Sequence, residues 1–477
     1  MKPVPGQASP RANPVGTWVC LGGLLLTQVL LGGAEGSEVA RGAAVGTGLS
    51  ILASLLFDSR RGLQNLIRAD VLAILTLYLL TFFEMLFPQP AFNAAVDASQ
   101  AERGATMLLL GFAGVIVGRH LWHPRKSPFW ALRTAPIPQS GILRVFWGCF
   151  ILGYFYMFVS VGFDPMVFID SMTRPRFAQP WARGQFGDWN ALLSELFLLV
   201  TLIPPLAGIV IARRARYSRR QILLIVLATA LTLFWGLASG TRSLFASYVG
   251  TFLVGYAVGL DRGRQRELAM VATACAAVLV VGATAMLAFR DVGLKRFWTE
   301  GTLGRPIDET VFIDADYLII CRLADVFPRQ YQYLGLEVPY LGLVRPIPRA
   351  LWPGKPIGLS TSMEDALGAE GLTLAASFVG EAYVSGGFVA VLIAGTALGV
   401  LLGWWGHLAS PQNSDLGALI YVSGFSAAVI SMRSLLAITT TILPTLACLG
   451  VALLLRRRLR SAVRSASLRP SVTSNRQ

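Results

Sequence analysis

Apolar residues in this chain fall into repeated runs of about 17 to 22 residues, separated by short polar or basic stretches. Runs of that length match an α-helix crossing a bilayer core of about 30 Å. The pattern therefore predicts an all-α polytopic membrane protein with about twelve transmembrane helices. The predicted helices cover residues 15–33, 39–57, 70–87, 104–120, 145–162, 191–212, 221–239, 243–260, 268–289, 385–405, 416–430 and 435–455.

One linker is much longer than the others and lies between the ninth and tenth predicted helices. The predicted organisation is nine helices within residues 1–289, a loop subdomain at 290–384, three helices within 385–455 and a basic tail at 456–477. Inside the loop, apolar residues recur at helical spacing, which predicts an amphipathic helix over residues 308–331. Pro328 is expected to end that helix, because proline cannot donate the next helical hydrogen bond.

The distribution of cations predicts the orientation in the membrane. The net charge is +15, but the cations lie between the apolar runs, which favours the positive-inside rule over nucleic acid binding. The first run lacks a small-residue cleavage site, so it is expected to remain as a helix. Both termini are then cytoplasmic and the long loop is periplasmic. The basic residues assigned to the inner side include Arg60, Arg61, Arg68, Arg119, Arg144, Arg213, Arg214, Arg216, Arg219 and Arg220.

Composition supports the membrane class and gives no sign of a cofactor. Hydrophobic residues make up 54% of the chain and charged residues 14%, against about 25% charged in soluble proteins. The five cysteines contain no CxxC pair, so neither a disulfide framework nor a zinc site is predicted. The three histidines, His120, His123 and His407, all fall on the predicted inner side. We therefore expect no metal and no cofactor at a periplasmic site.

The long loop contains a segment rich in cations and prolines, at residues 345–356. Its twelve residues include four prolines, Trp352 and three cations: Arg345, Arg349 and Lys355. Because proline fixes φ and restricts the preceding residue, the segment is predicted to be extended. Arginine and lysine on a stiff backbone suit a phosphate or diphosphate group.

Isolated charges at other positions are predicted to meet the same face of the membrane. Arg242 and Arg433 lie at the tips of two predicted hairpins, and Glu381 lies just before the tenth predicted helix. Each arginine alone could be a snorkelling anchor, but their convergence favours an anionic ligand. Glu381 could be an ion-pair partner or could orient or deprotonate an attacking hydroxyl. The alternative carboxylates are Glu195, Glu364, Asp365 and Glu370.

Several of these segments together resemble one family. The sequence IPRALWPGKP at residues 347–356 resembles the loop signature of Wzy-type O-antigen polymerases, which polymerise oligosaccharide repeat units in bacterial envelopes. SGTRS at 239–243 resembles that family's Gly-x-Arg hairpin, and VGEAYVSGG at 379–387 resembles its Gly-Glu-x-Tyr-x-x-x-Gly motif. Arg433 occupies the place of the family's late hairpin arginine. The resemblance covers about residues 220–440, and the N-terminal half matches only in hydropathy.

The resemblance implies a GT-C-like glycosyltransferase of the bacterial inner membrane that uses neither metal nor nucleotide sugar. The implied substrate is an undecaprenyl-diphosphate-linked oligosaccharide, and a chain-length regulator protein is an expected further partner. Catalytic roles would fall to Glu381 and Arg349. The residues that the resemblance assigns to substrate binding are Arg242, Arg345, Arg349, Trp352, Lys355, Tyr383 and Arg433.

Two other functions compete with this reading. An O-antigen ligase has a similar architecture, but such ligases use a periplasmic histidine, which the predicted topology does not provide. A lipid-linked oligosaccharide flippase or another transporter would also fit about twelve spans. Transporters are commonly built from internal repeats, and the two halves of this chain do not match each other.

Overall fold

The computed structural model describes residues 11–32, 37–121, 139–175, 178–181, 193, 195–261, 263–289, 292–301, 315–347, 349, 351–369, 374–408 and 415–450. The predicted tail at 456–477 lies outside these residues. The α-helices are α1 (Pro14–Leu31), α2 (Ser37–Ser59), α3 (Ala69–Thr81), α4 (Pro90–Ala95), α5 (Ala98–Leu121), α6 (Gln139–Ser160), α7 (Pro165–Met172), α8 (Ile203–Ala212), α9 (Arg219–Ala238), α10 (Arg242–Gly259), α11 (Gln265–Phe289), α12 (Leu294–Glu300), α13 (Asp316–Val326), α14 (Glu337–Val344), α15 (Met363–Ala366), α16 (Ser377–Leu408), α17 (Asp415–Ser423), α18 (Phe425–Arg433) and α19 (Leu435–Thr441). Short 3₁₀ helices cover Leu63–Leu66, Phe83–Leu86, Phe197–Leu202 and Arg214–Arg216.

The protein is a helical membrane protein. Within the described residues, seven helices are long and apolar enough to cross a bilayer. They are Pro14–Leu31, Glu38–Ser59, Ala98–Leu121, Gly141–Ser160, Arg219–Ala238, Gln265–Met286 and Ser377–Gly406. Shorter apolar helices cover Ala69–Thr81, Phe197–Ala212, Ala418–Arg433 and Leu435–Gly450. These coincide with predicted spans, while the count of about twelve stays a prediction.

Several predicted spans are interrupted in the structure. The third consists of α3 followed by a 3₁₀ turn, and the sixth contains a 3₁₀ helix, Phe197–Leu202, that becomes α8 just before two consecutive prolines. The eleventh consists of α17 and α18, joined at Gly424. Ser434, between α18 and α19, is extended, with φ −161° and ψ 127°. Such breaks leave backbone N–H and C=O groups that need other partners.

Helices α5 and α16 approach each other through glycines. A Cβ atom at Gly118 would lie 2.2 Å from the carbonyl oxygen of Thr396, and one at Gly399 would lie 2.4 Å from that of Val115. A Cβ at Gly403 would similarly lie 2.5 Å from a backbone oxygen of α5. Small residues let helix backbones pack this closely in membranes. The contact fixes α16, whose first turns carry Glu381.

Helix α16 bends at two adjacent glycines, Gly386 and Gly387. Gly386 has φ −174° and ψ 35°, and Gly387 has φ 68° and ψ −156°, a left-handed region that favours glycine. The bend follows the predicted start of the tenth span by one residue. The helix itself begins at Ser377, so the last residues of the predicted loop are already helical.

The amphipathic helix predicted over 308–331 corresponds to the shorter α13, Asp316–Val326. Residues 302–314 lie outside the described part of the chain. The helix ends before Pro328, as expected from the missing N–H of proline. The hydroxyl of Tyr317 donates to the carbonyl of Ala101 at 2.8 Å, which attaches α13 to α5.

Two cations assigned to the inner loops are buried. Arg68 pairs with Asp58 at 2.7 Å and with Asp70 at 2.9 Å, and Arg119 lies 3.4 Å from Asp70. Arg119 also donates to the hydroxyl of Thr17 at 2.6 Å. Their burial was not predicted, because a hydropathy profile cannot show that a cation has buried carboxylates beside it. Their assignment to the inner side stays a prediction.

Candidate functional site

At its described residues, 345–347, 349 and 351–356, the cation-rich segment contains turns, so the prediction of an extended backbone was wrong there. Arg345 continues α14 with helical angles, φ −53° and ψ −40°. The N–H of Ile347 donates to the carbonyl of Val344 at 3.0 Å, and the N–H of Lys355 donates to that of Trp352 at 3.1 Å. Proline fits the second position of a turn as well as an extended chain, so its fixed φ did not decide between them.

Two of the cations hold the segment together through its own backbone. Arg349 donates from Nη1 to the carbonyl of Lys355 and from Nη2 to that of Pro356, each at 3.0 Å. Lys355 Nζ donates to the carbonyls of Arg345 and Ile347 at 2.7 and 2.8 Å. These bonds use two of the five guanidinium N–H groups and two of the three ammonium protons. The remaining donors can serve an anion while the loop stays folded.

The other two loop cations act on Lys355 through their charges, and one carboxylate acts on it with the opposite sign. Burial is the largest cause that lowers the pKa of Lys355 below its usual value, and the positive charges of Arg349 and Arg345 lower it further. The negative charge of Glu195 acts in the opposite direction. Glu195 is exposed and lies near the loop. Lys355 therefore interacts electrostatically with the other two loop cations and with Glu195, one of the alternative carboxylates.

Glu381 is buried, with 4% of its surface exposed, and its carboxylate binds the break between α18 and α19. Oε1 accepts the hydroxyl of Ser434 at 2.6 Å, and Oε2 accepts the N–H groups of Leu435 and Leu436 at 2.5 and 3.1 Å. The first N–H groups of a helix have no partner within it and carry a partial positive charge. Glu381 therefore caps the start of α19.

The positive charge of Arg345 also acts on Glu381. Arg345 follows α14 directly, and α14 packs against both α16 and α19. The hydroxyl of Thr439 donates to the carbonyl of Gly342 and joins α19 to α14. The buried carboxylate of Glu381 thus accepts hydrogen bonds from the start of α19 and also interacts with the charge of the loop cation Arg345.

The two hairpin arginines lie at tips that touch each other. Arg433 is the last residue of α18, and its Nη1 donates to the hydroxyl of Ser243. Arg242 is the first residue of α10, after a turn in which Gly240 has a positive φ of 64°. Ser434, next to Arg433, binds Glu381, so this contact connects the hairpin tips to the buried carboxylate.

The two aromatic residues assigned to substrate binding differ in exposure. Trp352 is half-buried on the cationic loop. Tyr383 is buried, and its hydroxyl donates to the carbonyl of Phe327 at 3.2 Å. Its ring packs against those of Tyr333 and Phe388. Because Tyr383 follows Glu381 by two residues, it lies on about the opposite face of the helix. Its position indicates packing beneath the site rather than contact with a ligand.

The remaining predicted alternatives are placed as follows. Glu364 accepts the N–H of Leu374 at 3.0 Å and so has a local role in the loop. Asp365 is exposed in α15, and Glu370 and His123 lie outside the described residues. His120 shares a hydrogen bond of 2.7 Å with Thr17, near the buried ion pairs. The described residues contain no group of three potential metal ligands.

Sequence reasoning missed Ser243 and Ser434. Both connect parts of the site, through Arg433 and Glu381 respectively. A signal was present, because each hairpin arginine is directly followed by a serine. A serine next to a helix break is a ready hydrogen-bond partner for a neighbouring charged group.

Fold and site together define a helical membrane protein in which a buried carboxylate caps a helix start and a cationic loop follows a helix packed against it. The chain matches no protein-family model, no curated protein and no solved structure. The resemblance to repeat-unit polymerases therefore stays a prediction that its motifs alone carry.

Proposed function

We propose that this protein is a glycosyltransferase that polymerises undecaprenyl-diphosphate-linked oligosaccharide repeat units at the periplasmic face of the bacterial inner membrane. The supporting observation is a chain of interactions: Arg433 of one hairpin tip binds Ser243 of the other, Ser434 binds Glu381, and the loop cation Arg345 acts on Glu381 through its charge. The proposal includes about twelve spans in a GT-C-like arrangement, cytoplasmic termini, a chain-length regulator as partner, and no metal or cofactor.

The proposed role of the cations is to bind the diphosphates of the two lipid-linked substrates. Arg345, Arg349 and Lys355 come from one loop, and Arg242 and Arg433 come from the two hairpin tips. Guanidinium groups keep their charge and bind phosphate oxygens in pairs. Fixed donors aimed at a leaving diphosphate stabilise its negative charge as it develops in the transition state.

In the proposed reaction, a hydroxyl oxygen of the acceptor sugar attacks the anomeric carbon of the donor glycan. The bond from that carbon to the diphosphate oxygen breaks, and undecaprenyl diphosphate leaves with the electron pair. The hydroxyl proton passes to a base. Both oxygens of Glu381 already accept hydrogen bonds, so its geometry fits a positioning residue better than a base. Glu195, which is exposed and acts on Lys355 through its charge, is the candidate proton acceptor in this proposal.

The test is a glycan size profile from a strain that lacks the gene, rescued with the wild type or with Arg349→Ala. We expect single repeat units without rescue, full-length polymer with the wild type, and loss of polymer with Arg349→Ala. Arg322→Ala is the matched control, because Arg322 is exposed on α13 in the same loop. Protein level and membrane insertion are measured in every strain.

The same experiment separates the alternatives. Full-length polymer that accumulates on its lipid carrier in the deletion strain would identify a ligase instead. Repeat units trapped on the cytoplasmic face would identify a flippase. Normal polymer with Arg349→Ala would remove the role proposed for that residue.

A further inference from the structure

Four apolar side chains form an exposed stripe along α14 and the turn after it. They are Leu336, Tyr340, Leu343 and Ile347, and successive members are three or four residues apart. That spacing places them on one face of a helix. Leu336 is 82% exposed and Leu343 is 71% exposed. We call these four residues the apolar stripe.

The opposite face of α14 is packed into the protein. Val338, Leu341 and Val344 are buried, and the carbonyl of Gly342 accepts the hydroxyl of Thr439. The helix is therefore held in one rotational position. Its outward face is apolar although water-exposed helices usually place polar residues there.

The apolar stripe begins where the outer surface of a candidate membrane span begins. The N–H of Leu334 donates to the carbonyl of Val384 at 2.9 Å, just before the bend in α16. Beyond the bend, Val389 and Ile393 are exposed on that span. Exposed apolar residues on a spanning helix face lipid. Leu336 thus continues a surface that the fold already assigns to the bilayer.

Cations lie directly after the apolar stripe. Arg345, Arg349 and Lys355 follow α14, and two further apolar side chains, Leu351 and Ile357, are exposed among them. Ile357 is 94% exposed. Apolar groups combined with cations are typical of segments that lie in the interface of a membrane and contact lipid phosphates.

We propose that residues 336–347 rest in the membrane interface, with the apolar stripe in contact with the hydrocarbon of the bilayer lipids. This interaction does not depend on the proposed enzymatic activity. It holds the cation cluster at the depth of the lipid head groups. An amphiphile with an anionic head therefore reaches the cations from within the membrane, without leaving it.

The test measures the immersion of a nitroxide spin label in proteoliposomes. The label is attached at Leu343→Cys or, as a second variant, Leu336→Cys. The control is Asp365→Cys, because Asp365 is exposed on α15 within the same loop and outside the apolar stripe. The background carries Cys275→Ala and Cys448→Ala, since the other natural cysteines are buried: Cys20, Cys149 and Cys321.

Collisions of the label with oxygen and with a water-soluble nickel complex are compared by power saturation. We expect labels at 343 and 336 to collide mainly with oxygen, and the label at 365 mainly with nickel. Equal preference for nickel at all three positions would overturn the proposal. Protection from both reagents at 343, with spin–spin broadening between labels, would overturn it in favour of a second copy of the chain. Protection without broadening would overturn it in favour of another covering protein.

The measurement uses no substrate and detects no turnover. Failure of the polymerase proposal would therefore leave its result unchanged. Failure of the membrane contact would likewise leave the glycan size profile as a separate test.

Discussion

The guanidinium of Arg433 donates a hydrogen bond to the hydroxyl of Ser243, although the two residues lie 190 positions apart in the chain. The bond joins the tips of two hairpins and places Arg433 beside the turn that carries Arg242. The next residue, Ser434, binds Glu381. The two hairpin arginines and the buried carboxylate are therefore expected to respond together when any one contact is removed.

Replacing Ser243 tests this coupling. Ser243→Ala removes one acceptor of Arg433, and a hydrogen bond to a charged group contributes about 1.5–3 kcal/mol. If the bond is needed in the transition state, we expect the rate of polymerisation to fall by about tenfold or more relative to the wild type. Ser243→Thr keeps a hydroxyl and should largely restore the rate. Equal rates for Ser243→Ala and the wild type would show that Arg433 is positioned without this bond.

Replacing Glu381 separates positioning from proton transfer. Glu381→Ala leaves the hydroxyl of Ser434 and two backbone N–H groups without their acceptor, so we expect a loss of about 1–3 kcal/mol in stability. Glu381→Gln keeps one acceptor oxygen and should lie between the wild type and Glu381→Ala, both in thermal stability in detergent and in activity. Complete loss of polymer in Glu381→Gln at unchanged thermal stability would instead identify a base.

The pH dependence of donor binding tests Lys355. Burial and the neighbouring Arg349 and Arg345 lower the pKa of Lys355, and only the protonated ammonium attracts a diphosphate. As pH rises through this lowered pKa, the charge is lost, so the apparent KM for donor should increase at a lower pH than an ordinary lysine would give. Lys355→Arg stays charged and should move the increase to higher pH. An identical profile for both proteins would exclude Lys355 as its source.

The close packing of α5 against α16 at glycines predicts that larger side chains at these positions destabilise the protein. Gly399→Leu would place side-chain atoms against the backbone of Val115, so we expect destabilisation of at least about 1–3 kcal/mol. Gly148→Ala is the control, since no atom lies within 4 Å of a Cβ at Gly148. Thermal unfolding in detergent measures both. A similar melting temperature for Gly399→Leu would mean that the two helices separate easily.

The buried ion pairs predict that removing a buried cation lowers stability much more than removing an exposed cation nearby. Arg68→Met leaves Asp58 and Asp70 buried with one cation fewer, and breaking a buried pair in this way costs about 3–5 kcal/mol. Arg61→Met changes an exposed cation nearby and should have little effect. The amount of folded protein recovered from membranes, with its thermal stability, gives the comparison. Wild-type stability in Arg68→Met would show that the carboxylates find other partners.

Hydropathy predicted where the chain is helical, because a long apolar run has few alternatives in a membrane. It did not predict the breaks at Gly424 or at the start of α8, since averaging over a window hides a single turn residue or a 3₁₀ helix. The proline-rich segment was expected to be extended, although turns satisfy the same φ restriction. Burial of Arg68 depends on Asp58, ten residues away, and no local pattern shows that pairing.

The sequence motifs identified candidate site residues, but they did not predict which hydrogen bonds each of these residues makes. Of the charged positions that the motifs singled out, Arg345 acts on Glu381 through its charge, and Arg433 is followed by Ser434, which binds Glu381. The bonds that organise them run to backbone groups and serines, which no charge pattern reveals. Tyr383 shows the limit of motif reasoning, because adjacency in a motif does not mean that two side chains share a helix face.

The cation-rich loop is closed by bonds from Arg349 and Lys355 to carbonyl oxygens of its own backbone. Every residue type supplies that carbonyl, so these four bonds need only two side chains. At Ile347 and Pro356 they use the backbone alone, so other residues at these two positions could accept the same bonds while Arg349 and Lys355 are kept.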